Sequence, residues 1–117
     1  MPGRFALVLA LMFSTWWQSE DVKLLGTAGD IRFVVVSPKV AKSDDELRKT
    51  AHMLCADTQI CGVRFWAAES HAARRLPMSD DQARNQIAAY TINKNMGVDD
   101  FTCMPTTDRS PPCTPTP

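Results

Sequence analysis

The sequence predicts a small two-layer α+β domain of order β-α-β-α-β, stapled by disulfides, with an N-terminal signal segment and a Pro/Thr-rich tail. Three observations predict it. The run Ile31 to Ser37, IRFVVVS, is dense in β-branched residues and stops at Pro38. The sequence Ser43-Asp44-Asp45-Glu46 has the S-x-x-E pattern that caps a helix. The run Cys61 to Ala67, CGVRFWA, alternates as a strand does.

The first strand, 31–37, has apolar side chains on both faces, so a central position is expected. Pro38 has no N–H for the ladder and closes it. The first helix should run from Asp44 to about Ala56. Leu47, Ala51, Leu54 and Cys55 fall at i, i+4, i+7 and i+8, one apolar stripe. Asp44 and Asp45 suit the positive end of its dipole. In the second strand, Val63 and Phe65 share one face while Arg64 and Trp66 share the other. A loop spans 68–78. Ser79-Asp80-Asp81-Gln82 is a second capping pattern and predicts a helix from about Asp80 to Asn93, stopped at Asn95-Met96-Gly97. Asp100 to Met104 reads as a short third strand. Both helices are expected on one face of the sheet.

Three segments follow from composition. Residues 1–28 read as a signal peptide and lead-in, 29–104 as the globular domain, and 105–117 as an extended Pro/Thr-rich tail. Arg4 precedes the apolar run Phe5 to Phe13, whose length matches a secretory h-region and falls short of the about 20 residues of a spanning helix. No A-x-A follows that run directly; Gly26 and Ala28 are small residues farther downstream. The competing reading is a buried N-terminal helix ending in Trp16 and Trp17. Residues 19–30, SEDVKLLGTAGD, read as a loose lead-in.

The 13 basic and 13 acidic residues balance, which leaves no electrostatic footprint for nucleic acid or an anionic membrane. With 44% hydrophobic residues a packed core is within reach and global disorder is not expected. Four cysteines, Cys55, Cys61, Cys103 and Cys113, in a short chain with an export signal read as two bridges. Cys55–Cys61 joins the end of the helix to the start of the strand, and Cys103–Cys113 pins the tail. A bridge from Cys55 or Cys61 to Cys103 is the alternative pairing, and Cys55 as a plain buried hydrophobe is another reading. Zinc on His52, Cys55, Cys61 and His71 is disfavoured by the C-x5-C spacing. No metal or other cofactor is expected.

Enzyme signatures are sparse. The chain holds no G-x-S-x-G, no glycine-rich phosphate loop and no H-E-x-x-H. His52 reads as an exposed helical residue. His71 lies near Glu69, Arg74 and Arg75, so a His–carboxylate base is the main enzymatic option. Asp44/Asp45 and Asp80/Asp81 are explained by helix starts. The better prospect is binding. If the helices cover Val63 and Phe65, then Arg64 and Trp66 face the other way, joined by Arg32, Val34 and Val36 if the register matches. An exposed Trp–Arg–aliphatic face has the composition of an interface. The competing reading is that the lead-in, the 68–78 loop or the tail covers it.

The pattern Leu54-Cys55, Cys61-Gly62-Val63-Arg64-Phe65-Trp66, Leu76-Pro77-Met78-Ser79-Asp80 and Tyr90, Asn93, Asn95, Gly97 resembles small uncharacterised exported bacterial proteins over roughly residues 31–104. The resemblance implies export and brings no activity or catalytic residue. The expectation is therefore a secreted or periplasmic, non-enzymatic protein-binding module with Arg32, Arg64 and Trp66 as binding residues. Its alternative is a small hydrolase-like or metal-dependent enzyme using His71 or His52. A protein partner is expected, with no nucleic acid and no membrane span beyond the signal segment.

Overall fold

A computed structural model describes residues 20–104. They form one five-stranded mixed sheet flanked by short helices. The strands are β1 (Val22–Ala28), β2 (Ile31–Val36), β3 (Ile60–Trp66), β4 (Ala88–Asn93) and β5 (Val98–Cys103). The helices are α1 (Pro38–Ala41), α2 (Asp44–Leu54) and α3 (Asp80–Arg84), with a 3-10 turn at Glu69–His71. Strand order follows the chain, β1-β2-β3-β4-β5. Only β2 and β3 are parallel; the other pairs are antiparallel. The parallel pair needs a crossover, and α1 and α2 supply it.

The expected α+β class holds, with five strands in place of three. The residues read as a loose lead-in form β1. Gly29, at φ 59, closes a two-residue turn between Ala28 and Ile31. Gly26 belongs to the strand because the chain folds over it: a Cβ there would lie 2.5 Å from the Arg74 carbonyl oxygen. The boundary expected at residue 28 therefore cuts through the sheet, whose first described strand starts at Val22.

The helix expected over 80–93 is corrected to a short α3 followed by β4. Its start is as expected: Ser79 Oγ accepts from the Gln82 N–H while Gln82 Oε1 accepts from the Ser79 N–H. It stops at Arg84, and the chain then pairs with β3, which places Ala88, Tyr90 and Ile92 together in the helix-side core. Gly97 does take the left-handed conformation, φ 66, but in the β4–β5 hairpin turn. There Asn93 Oδ1 accepts from the N–H groups of Asn95 and Met96.

The sheet buries side chains on both faces. On one, Leu47, Ala51, Leu54 and Cys55 of α2 meet Val34, Val36, Val63, Phe65, Tyr90 and Ile92. This is the predicted stripe, and Ser43 caps α2 by accepting from the Glu46 N–H. On the other, Phe33 and Trp66 pack with Ala72 and Ala73 of the 67–79 loop and with Leu25, Val35 and Met78. The expectation that both helices share one face is corrected. The Trp66 indole donates to the Gln82 carbonyl at 2.8 Å, so α3 serves the second face.

Cys55 and Cys61 are bridged, with Cα atoms 5.8 Å apart. This closes the turn between α2 and β3 and is compatible with an oxidising, extracellular compartment. Cys103 is not a free thiol, and its expected partner, Cys113, lies outside the described residues. So do the apolar run Phe5 to Phe13 and the tail 105–117. Among the described residues no helix is long and apolar enough to cross a membrane.

Candidate functional site

Register decides where the three predicted binding residues lie. Arg32 pairs with Val63, Phe33 with Arg64, and Val35 with Trp66. Paired residues share a face, so Arg32, Val34 and Val36 stand on the helix side. The expected grouping of Arg32 with Arg64 and Trp66 is corrected: Phe33 and Val35 take the places given to Arg32, Val34 and Val36. Trp66 itself is fully buried, its ring centroid 6.1 Å from that of Phe33, beneath the 67–79 loop. It touches the protein's own loop and is not exposed to a partner. The loop is held down by Glu69, whose Oε1 accepts from Lys23 Nζ at 2.8 Å and from Arg74 Nη2 at 3.2 Å. The Lys23 ammonium, with Arg74 adding to it, holds the Glu69 carboxyl below the usual glutamate value despite some opposing desolvation.

The loop covers only the β1–β3 side of this face. Toward β5, three cross-strand rows run Arg64-Ala89-Thr102, Gly62-Thr91-Asp100 and Ile60-Asn93-Val98. Thr91, Thr102, Asp100, Ile60 and Val98 are exposed and Arg64 is half-buried. Ile60 and Val98 are among the exposed large hydrophobic side chains of the described residues, as is Met96 in the hairpin turn. Of the predicted binding set, Arg64 alone lies on this open area.

A second cluster lies on the helix side. His52 Nε2 is 2.7 Å from the Tyr90 hydroxyl and 3.3 Å from Asp99 Oδ2. The two rings meet edge to face at 5.3 Å. Tyr90 in turn meets the Phe101 ring at a tilt, centroids 6.0 Å apart, with the Arg48 guanidinium 4.9 Å from the Phe101 ring centroid. Next to it a cavity of about 440 Å³ is lined by His52, Cys55, Lys94, Val98 and Asp99, among others. Lys94 Nζ donates to the Ala56 and Cys55 carbonyls at 3.1 and 3.4 Å, the usual place for a cation at a helix C-terminus. An imidazole between a phenol and a carboxylate has the parts of a proton-transfer site. Tyr90 and Asp99 have no counterpart among the sequence-predicted site residues, because 80–93 read as helix and the last strand was expected to start only at Asp100. The β-branched and aromatic run Tyr90-Thr91-Ile92 was the available signal for a strand.

His71 sits in the loop over the opposite face, and Glu69, the carboxylate expected beside it, is engaged by Lys23 and Arg74. His52 and His71 are not brought together. The bridge occupies both sulfurs of the hypothetical zinc set. Among the described residues no group of three or more His, Cys, Asp or Glu side chains is placed to hold a metal. Comparison of this chain with models of protein families, with curated proteins and with solved structures finds no match.

Proposed function

We propose that the protein is an exported, non-enzymatic binding module that engages a protein partner through the open part of its sheet. One observation carries this reading: the rows on β3, β4 and β5 that the 67–79 loop leaves uncovered combine exposed Ile60 and Val98 with Arg64 and Asp100. Apolar side chains rimmed by charge are the make-up of a protein interface. The contact surface is thus Arg64 with Ile60 and Val98; Trp66 lies under the 67–79 loop and is not part of it. The disulfide and the apolar run after Arg4 support export to the periplasm or beyond.

The test places a photo-crosslinking residue at Val98 in the native host, with Lys49 on the outer face of α2 as the control. A discrete adduct from position 98 and none from 49 is expected. No adduct from 98, 60 or 64 overturns the binding surface. Intact mass of protein from the same host tests export: retention of the whole N-terminus with four alkylatable thiols defeats it.

A second reading, a hydrolase-like enzyme, rests on the His52–Tyr90–Asp99 cluster. It requires substrate turnover that disappears in His52→Ala and survives Ile60→Asp.

A further inference from the structure

Register arranges the open face so that its two outer strands complement each other. On β3 stand Arg64, Gly62 and Ile60; in the same rows on β5 stand Thr102, Asp100 and Val98, with β4 between. Each outer strand thus carries one charge, of opposite sign, and one exposed large hydrophobic residue. Neither Arg64 nor Asp100 has an ion pair among the described residues. The face is also stepped. The 67–79 loop raises its β1–β3 side over Phe33 and Trp66, while β5 is an edge of the sheet.

We propose that the partner of this face is a second copy of the chain, docked face to face about a two-fold axis that runs along β4. This names the occupant of the surface proposed above and rests on that surface being an interface. The axis lays β3 of each copy over β5 of the other, at the about 10 Å spacing of aligned sheets. Ile60 then meets Val98 of the second copy. Gly62 meets Asp100, and its missing side chain leaves room for the carboxylate. Arg64 meets Thr102, with Asp100 one row away, about 7 Å along the strand and within reach of a guanidinium. Symmetry makes each contact twice. The step fits as well: the raised loop of each copy falls beside the β5 edge of the other. A two-fold across the strands does the opposite. It sets Arg64 against Ile60 and Val98 against Thr102, and it stacks loop on loop. The three strands span about 14 by 17 Å, much less than the about 800 Å² per partner of a standard interface. The dimer is therefore weak and reversible, with a dissociation constant on the order of 0.1 mM.

The test uses sedimentation equilibrium of the protein as isolated from its host, with the Cys55–Cys61 bridge intact, from about 10 µM to about 1 mM. A monomer–dimer equilibrium that reverses on dilution without reductant is expected. Arg64→Glu and Asp100→Lys should each weaken it about tenfold, and the double variant, which exchanges the two charges, should regain most of the loss. Ile60→Asp should leave the protein monomeric across the range. A monomer at every concentration, a dimer undiminished in Ile60→Asp, or a double variant no tighter than the single ones overturns the proposal. Should these variants fail to fold, the photo-crosslinking residue at position 98 decides. In the purified protein it should give an adduct of twice the chain mass that maps to Ile60 of the other copy. An adduct with a different host protein and none between copies overturns the dimer and leaves the surface an interface. No adduct of either kind defeats both.

Discussion

Glu69 and Trp66 make the same structure from opposite kinds of chemistry. Glu69 pins the 67–79 loop from outside through Lys23 and Arg74. Its carboxyl titrates below the usual 4.5 because the Lys23 hydrogen bond and charge favour the ionised form, with Arg74 adding to them. A lowered folded-state value means the pairing contributes above the unfolded value and is lost as pH falls through the folded one. The group is solvent-exposed, so screening keeps the contribution small. A carboxyl-detected NMR titration should place the Glu69 midpoint below that of an ordinary glutamate, and Lys23→Met should return most of the shift. Trp66 pins the loop from inside. It is fully buried and its indole N–H is satisfied by the Gln82 carbonyl. Trp66→Ala should lower unfolding free energy by about 3–5 kcal/mol in urea titration. Arg64→Ala, on the open area, should change it by under about 1 kcal/mol. The reverse ranking would mean that Trp66 is not the loop's support.

At the scale of elements, local signals were honest about where structure begins and weaker about what it becomes. Both Ser caps start helices as their spacing predicts. Ser43→Ala should remove the acceptor for the Glu46 N–H and lower stability by about 1 kcal/mol, seen as a lower urea midpoint with an unchanged slope. After Ser79 the same kind of cap opens only a single turn and a half. The stretch 86–93 holds alanine, isoleucine and tyrosine, which satisfy either a helical or a strand pattern, and local propensity does not choose between them. Partners chose: β3 offers backbone pairing from Ile60 to Phe65, and β5 pairs on the other edge. The stretch 19–30 reads as a lead-in for the converse reason. Its two glycines and its charges look like linker, yet Gly26 is needed where Arg74 approaches and Gly29 where the chain turns.

For the molecule as a whole, the sheet carries a core on each face, and the bridge ties the crossover to the central strand. Cys55 and Cys61 close a ring with a sequence separation of 6, short enough that the loop-entropy account gives about 2 kcal/mol. The double variant Cys55→Ala/Cys61→Ala should lose about that much in urea titration and still unfold in one cooperative transition. Loss of the cooperative transition would show that the buried cluster around Leu47 and Phe65 cannot stand by itself.

The sequence by itself determined the class, the α2 stripe and both caps, because each depends on residues within a turn or two of one another; it favoured the Cys55–Cys61 bridge, which the structure shows. Only the tertiary structure decided that Trp66 is support, that Arg32 faces Cys61, and that His52 meets Tyr90 and Asp99. Those outcomes turn on strand register. A shift of one residue along β2 or β4 exchanges its two faces, and residues near in sequence hold no record of which alignment wins.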